Sequence, residues 1–128
     1  MIYEQNSFNQ EFIDDPELHQ KIIDALPIPI FYRDLKGIYK ACNMAQEKLL
    51  GLPKSQIIGK TVFDIQPFEI AEIYAKRDQE LLDSPGDQSY EAKFRDATGL
   101  MHDVVFNKAV IRDSQGEVTG IVGSIFDI

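Results

Sequence analysis

Gly59-Lys60-Thr61 has the ending of a phosphate-binding loop, in which backbone N–H groups cradle phosphates, the lysine neutralises them and the hydroxyl holds a metal ion. Such a loop also requires a glycine five positions before Gly59 and a strand leading into it. Lys54 occupies that position and the preceding segment has helical patterning, so nucleotide binding is not expected. Ser124 follows Gly123, but Phe126 stands where a nucleophile elbow needs glycine, and neither His19 nor His102 lies in a triad context. The two histidines are far apart, Cys42 has no cysteine partner, and no His-x-x-x-His or Cys-x-x-Cys spacing occurs, so no metal site is expected. Asp14, Asp15 and Glu17 cluster at a helix start, where negative charge complements the helix dipole. His19, on that helix, reads as a solvated surface group. No convergent catalytic constellation is visible, and the chain is not expected to be an enzyme.

Composition narrows the partners. Thirteen basic against twenty-one acidic residues give a net charge of −8. That balance repels phosphate backbones and anionic lipid surfaces, which argues against nucleic acid. The single cysteine excludes an intrachain disulfide and fits a reducing compartment, so the expected location is cytoplasmic. The first twenty residues hold no apolar leader core, and the longest apolar stretch, Ala25 to Tyr32, is short and broken by Pro27 and Pro29. Neither export nor a membrane span is expected in this segment. At 128 residues the chain is expected to form one domain that buries roughly 65% of its unfolded surface, enough for a small internal pocket.

The elements that must position any site are organised around Met101 to Ile128, read as two long strands joined by Arg112-Asp113-Ser114-Gln115-Gly116. Gly116 supplies the positive φ that such a loop needs at its end. Apolar residues occur at both parities, from Val104-Val105-Phe106 to Val122, Ile125 and Phe126, so both sheet faces need cover. Residues 1–14 carry Phe8, Phe12 and Ile13 near helical spacing and are expected to be helical only when packed. Asp15-Pro16 opens an amphipathic helix with Leu18, Ile22, Ile23 and Leu26 as its stripe. Ile28 to Arg33 and Ile38 to Cys42 form a hairpin around Asp34-Leu35-Lys36-Gly37. Asn43 to Gln46 has capping-box spacing, with Gln46 reaching back to the cap, and the helix ends at Gly51. After short turns over Lys54 to Ile58 and Thr61 to Ile65, Pro67 opens a longer helix to Asp83. Its stripe is Ile70, Ile73, Tyr74, Arg77 and Leu81, with Arg77 the one charge. Gln88 to Asp96 alternates as a half-buried strand, Tyr90, Ala92 and Phe94 against Glu91, Lys93 and Arg95. The order helix, two strands, several helices, three strands gives an α+β fold in which two hairpins lie side by side and the inserted helices cover one face.

Leu26-Pro27-Ile28-Pro29-Ile30-Phe31-Tyr32-Arg33-Asp34, then Gly37, Asn43, Leu49-Leu50-Gly51 and Ile58-Gly59-Lys60, resembles the front half of a PAS domain. Ile111 to Gly120 and the terminal Phe126-Asp127-Ile128 resemble its closing strands, where Asp-Ile is normally followed by Thr. The resemblance covers residues 16–128 and leaves 1–15 as an N-terminal flanking segment. It implies a five-stranded antiparallel sheet with helices inserted between strands 2 and 3, preceded by a flanking helix. It also implies a cytoplasmic sensory module, itself no enzyme, that regulates a covalently linked effector such as a histidine kinase or diguanylate cyclase lying beyond this sequence. Asp127 and Ile128 would be the output end. The alternative is a structural dimerisation domain with a filled core and no ligand.

Cofactor-bearing relatives give residue-level expectations. Photoactive flavin-binding relatives carry Asn-Cys-Arg-Phe-Leu-Gln near the middle helices; here no cysteine follows Cys42, and Val104 and Ile125 stand where those relatives place Asn and Gln. Haem-binding relatives commonly use a histidine on the long helix, which has none here, and His102 is a poor substitute. The redox flavin subtype often uses tryptophan, which is absent. The resemblance thus implies a colourless domain without flavin or haem, leaving an unknown small molecule. Helix stripe and family architecture together place a pocket between the long helix and the sheet, lined by Phe63, Ile70, Tyr74, Phe94, Phe106 and Ile125. Arg77 and Lys108 are the candidates for pairing an anionic ligand; for Lys108 the competing reading is a solvated strand lysine, since lysine is rarely buried. A homodimer is expected through the N-terminal helix and the uncovered outer sheet face.

Overall fold

In the computed structural model, which describes residues 15–128, helix α1 (Pro16–Ala25) leads into strands β1 (Ile30–Asp34) and β2 (Tyr39–Cys42). Helix α2 (Met44–Leu50), a 3-10 turn (Lys54–Gln56), α3 (Val62–Ile65) and α4 (Phe68–Asp83) follow, and β3 (Asp87–Arg95), β4 (Met101–Arg112) and β5 (Val118–Asp127) complete the fold. Phe8, Phe12 and Ile13, with all of the flanking segment but Asp15, lie outside the described residues.

The strands form one antiparallel five-stranded sheet in the order β2-β1-β5-β4-β3. β1 pairs with β5, so the two hairpins lie side by side as the α+β reading expects. Register then decides which side chains meet. Tyr90, Phe106 and Ile125 stand opposite one another across β3, β4 and β5. Phe31, Gly123 and Lys108 form the next row, and Arg33, Ile121 and Val110 the one after. By strand alternation these rows share the inner face, on which the inserted helices pack. The core there gathers Phe31, Tyr39, Leu50, Ile57, Tyr74, Phe94 and Phe106 among others.

Gly123 is what lets β1 sit close to β5. A Cβ there would fall 2.3 Å from the Phe31 ring, so the missing side chain is the space that ring occupies. Gly116 ends the β4–β5 loop at φ +84°, as its position in the turn demands.

One local expectation is corrected. Asn43 caps α2 by accepting from the Gln46 N–H at 3.1 Å, but Gln46 does not reach back; its side chain is buried and its Oε1 has no hydrogen-bond partner. Asn43 itself takes the wider role. Its Oδ1 also accepts from the Ile30 N–H, and its Nδ2 donates to the Ile23 and Ile28 carbonyls. Those bonds pin the end of α1 beside the β2–α2 junction, where Gln20 donates to the Cys42 carbonyl and Asp24 accepts from the Met44 N–H.

β3 is an edge strand, and side chains satisfy part of its open edge. Gln66 acts like a neighbouring strand, its Nε2 donating to the Arg95 carbonyl at 2.8 Å while its Oε1 accepts from the Arg95 N–H at 2.9 Å. The Tyr74 hydroxyl donates to the Lys93 carbonyl. Backbone groups met in this way are unavailable for pairing with another chain.

Candidate functional site

The inner face is apolar except at one place. Arg33 follows Phe31 by two positions on β1, so alternation turns both inward, and the guanidinium lies over the Phe31 ring at 4.4 Å and the Tyr39 ring at 5.2 Å. Lys108 follows Phe106 on β4 in the same way, with Nζ 4.8 Å from the Tyr90 ring centre. Arg33 is 1% exposed and Lys108 3%. Each would be strongly disfavoured alone.

Helix α4 supplies the counter-charge. Its inward stripe runs through Ala71, Tyr74, Asp78 and Leu81, and Asp78 follows Tyr74 by one turn. Arg33 donates to the Asp78 carboxylate through Nε at 3.2 Å and Nη2 at 2.8 Å, and to the Tyr39 hydroxyl through Nη1 at 3.2 Å. Lys108 Nζ donates to Asp78 Oδ1 at 2.7 Å and to the Tyr90 hydroxyl at 2.6 Å. One carboxylate thus joins two strands of the sheet to the long helix, through charge-assisted bonds.

The electrostatics follow from burial. For Arg33, burial opposes the charged form, but Tyr39 and Asp78 more than offset it and the pKa is raised. Burial pulls Lys108 down to about 8, with Asp78 holding it up and Arg33 pushing it further down. Burial raises the Tyr39, Tyr74 and Tyr90 hydroxyls, which therefore stay neutral hydrogen-bonding groups. Two cations against one carboxylate leave the cluster with a surplus of positive charge.

A cleft of about 200 Å³ opens onto this cluster. The β1–β2 turn, α3 and α4 form its sides, and Arg33, Asp78 and Ile121 lie at its inner end. Asp78 is the most accessible of the three charged groups, its side chain 14% exposed.

The sequence-predicted residues fall into three sets. Tyr74, Phe94, Phe106 and Ile125 are buried together in the core, and Ile70 packs against them. Phe63 is corrected from a core-facing position: it is 46% exposed, rests against Phe68 with ring centres 5.8 Å apart, and lines the cleft instead. Arg77 is corrected as well. It lies on the flank of the stripe, half exposed, over the Tyr90 ring at 4.8 Å and paired with Glu80 at 3.4 Å. Asp78 is the charge that faces inward. Lys108 is the reverse case, since strand parity with Phe106 puts it inside and the solvated reading does not hold. Sequence reasoning missed Arg33, Asp78 and Tyr39; the usable signals were the alternation Phe31-x-Arg33 and the one-turn spacing Tyr74 to Asp78.

At the end of β5, Asp127 accepts from or pairs with His102 Nδ1 at 3.1 Å, while His102 Nε2 meets Asp96 at 2.9 Å. The Ile128 N–H donates to the Asp103 carbonyl at 2.9 Å. Neither Asp127 nor Ile128 belongs to the buried charge cluster. Among the described residues no group of three or more His, Cys, Asp or Glu could hold a metal ion, and no helix is long and apolar enough to cross a membrane.

Comparison with known proteins agrees with this architecture. A family model described as PAS fold matches residues 17–128. The chain is 28% identical, over its whole length, to the methanogenesis regulatory histidine kinase FilI of Methanothrix harundinacea, of which it spans 14%. It is 29% identical over 90% of its length to the virulence sensor protein BvgS of Bordetella bronchiseptica, of which it spans 10%. The crystal structure of a PAS domain from Colwellia psychrerythraea superposes with a TM-score of 0.77 at 21% identity, covering 88% of this chain and 95% of that one.

Proposed function

The chain belongs to the PAS fold family, and from that premise we propose that it is a ligand-responsive sensory module of a longer, cytoplasmic signalling protein, regulating a covalently linked effector. The observation that carries the proposal is the Arg33–Asp78–Lys108 cluster at the inner end of a cleft. Asp78 ties α4 to the sheet through Arg33 at the inner end of the cleft, so an occupant that competes for these bonds shifts the helix relative to the strands. β5 carries that shift to Asp127 and Ile128. The effector is a histidine kinase, as in the relative FilI, or a diguanylate cyclase. No flavin or haem takes part, and the purified domain is colourless.

One observation favours a second reading, a dimerisation domain with a filled core. The space between α4 and the sheet is occupied by aromatic rings, Phe106 lying 4.9 Å from Tyr74, 5.4 Å from Tyr90 and 6.3 Å from Phe31. Thermal melting separates the two. A small molecule that binds only the folded state raises the midpoint in proportion to the logarithm of its excess over Kd. Metabolites released from the purified protein by denaturation and identified by mass spectrometry provide the compounds to add back. A midpoint that no recovered compound moves, with nothing co-purifying, leaves the filled-core reading.

A further inference from the structure

We propose that the cleft takes a small organic monocarboxylate, its charged end set against Arg33 and its apolar body along Leu35, Val62, Phe63, Ala75, Leu82 and Ile121. This rests on the sensory reading above and names its ligand class. Charge is the first ground. Arg33 and Lys108 are both buried and share one carboxylate, Asp78, so among the described residues the cluster carries one positive charge in excess. A monoanion makes the sum neutral, whereas a cation adds to the surplus and a dianion reverses it. Burial makes that balance count, because charges removed from water interact more strongly than exposed ones. The mouth does not change the sum: Asp34 accepts from the turn N–H groups of Lys36 and Ile38, and the Lys40 ammonium pairs with its carboxylate at 3.9 Å.

Shape is the second ground. Apart from Arg33 and Asp78 the deeper wall is apolar, and a cleft of about 200 Å³ suits a compact body with one charged end. Lys108 is not among the lining residues, yet its charge is half of what calls for an anion. It therefore acts on the ligand from behind Asp78 without touching it. A bound anion also relieves the repulsion from Arg33 that helps hold Lys108 down near 8, so occupancy raises the lysine's titration midpoint.

The test uses three probes of nearly one shape, benzoate, benzamide and benzylammonium, titrated to millimolar concentration into isotope-labelled protein. Backbone and methyl resonances of Val62, Leu82 and Ile121 report binding. The expected result is saturable movement with benzoate, a weaker response to benzamide and none to benzylammonium. Lys108→Met, which removes the distant charge, is expected to weaken benzoate by about tenfold or more, and Asp78→Asn to strengthen it by about as much. Should Asp78→Asn not fold, the Lys108→Met comparison decides alone. Benzamide binding as well as benzoate, stronger binding of benzylammonium, or benzoate affinity unchanged in Lys108→Met overturns the anion assignment and leaves the cleft as a binding site. No movement of those resonances with any of the three probes overturns the cleft, and with it the reading on which this assignment depends.

Discussion

Asp78 is the residue on which the interior depends most, because it alone neutralises charge for both Arg33 and Lys108. Removing one partner of a buried ionic group leaves the others uncompensated, so Asp78→Ala is expected to cost about 3–5 kcal/mol in chemical denaturation. Lys108→Met, which leaves a satisfied Arg33–Asp78 pair, is expected to cost far less and could stabilise the fold. Equal losses in the two variants would show that the cluster is not organised around the carboxylate. The same site gives a pH dependence with a definite sign. Lys108 titrates near 8 in the folded chain, below the ordinary lysine value of 10.5, so between those values the unfolded chain binds more protons. The contribution of Lys108 to stability therefore rises with pH across that window, and Lys108→Met abolishes the rise. His102 has the opposite sign. Hydrogen bonding to Asp96, against a smaller cost of burial and with help from Asp127, raises its pKa above 6.5. Its contribution is fully present below 6.5 and is lost as pH rises through the folded value. Denaturant midpoints measured across pH on wild type and His102→Gln check this, the variant being flat where wild type falls.

At the scale of elements, close approach between strands makes the sharpest prediction. Gly123→Ala places a methyl group 2.3 Å from the Phe31 ring, and that ring is held by Tyr39, Phe106 and the Arg33 guanidinium, so it has no room to yield. Overpacking of about 1–3 kcal/mol is expected, with urea denaturation as the measure and an unchanged midpoint as the contrary result. The sequence already contained most of the elements. Asp15-Pro16, Gly51, Gly116 and the alternating strand from Gln88 mark their own boundaries through caps, turns and periodicity, which are local properties of the chain. What was not legible depends on contacts distant in sequence. Gln66 reads as an ordinary polar residue until β3 is known to be an edge strand with Arg95 opposite it. Asn43 reads as a helix cap, but nothing local says that it also receives the end of α1. The site divides in the same way. The aromatic residues were legible from their stripes, while Arg33 and Asp78 were not, because each carries an inward charge justified by partners distant in sequence, Asp78 for Arg33 and Arg33 with Lys108 for Asp78.

At the scale of the whole molecule, the described residues leave apolar side chains exposed on the outer sheet face. On the outer sheet face Tyr32, Val122 and Ala109 stand opposite one another, Asn107 and Ser124 form the next row, and beyond it Val105 faces Phe126, with Phe126 and Ile111 exposed. Helix α1, expected to share a dimer interface with this face, is engaged at the β2–α2 junction. Apolar side chains exposed on one face in this way are expected to mark an interaction surface. Its proposed partner is the same face of a second copy, since a self-complementary patch closes under two-fold symmetry. Each chain carries a net charge of −8, so association of two copies works against repulsion and is expected to strengthen as salt is added, opposite to the behaviour of an interface held by ion pairs. Light scattering at micromolar concentration is expected to give twice the chain mass. Phe126→Lys, on the face away from the core, is expected to give the single chain mass with an unchanged circular dichroism spectrum. A wild-type monomer at high micromolar concentration and moderate salt ends the proposal. A dimer that survives Phe126→Lys moves the interface off this face of the sheet.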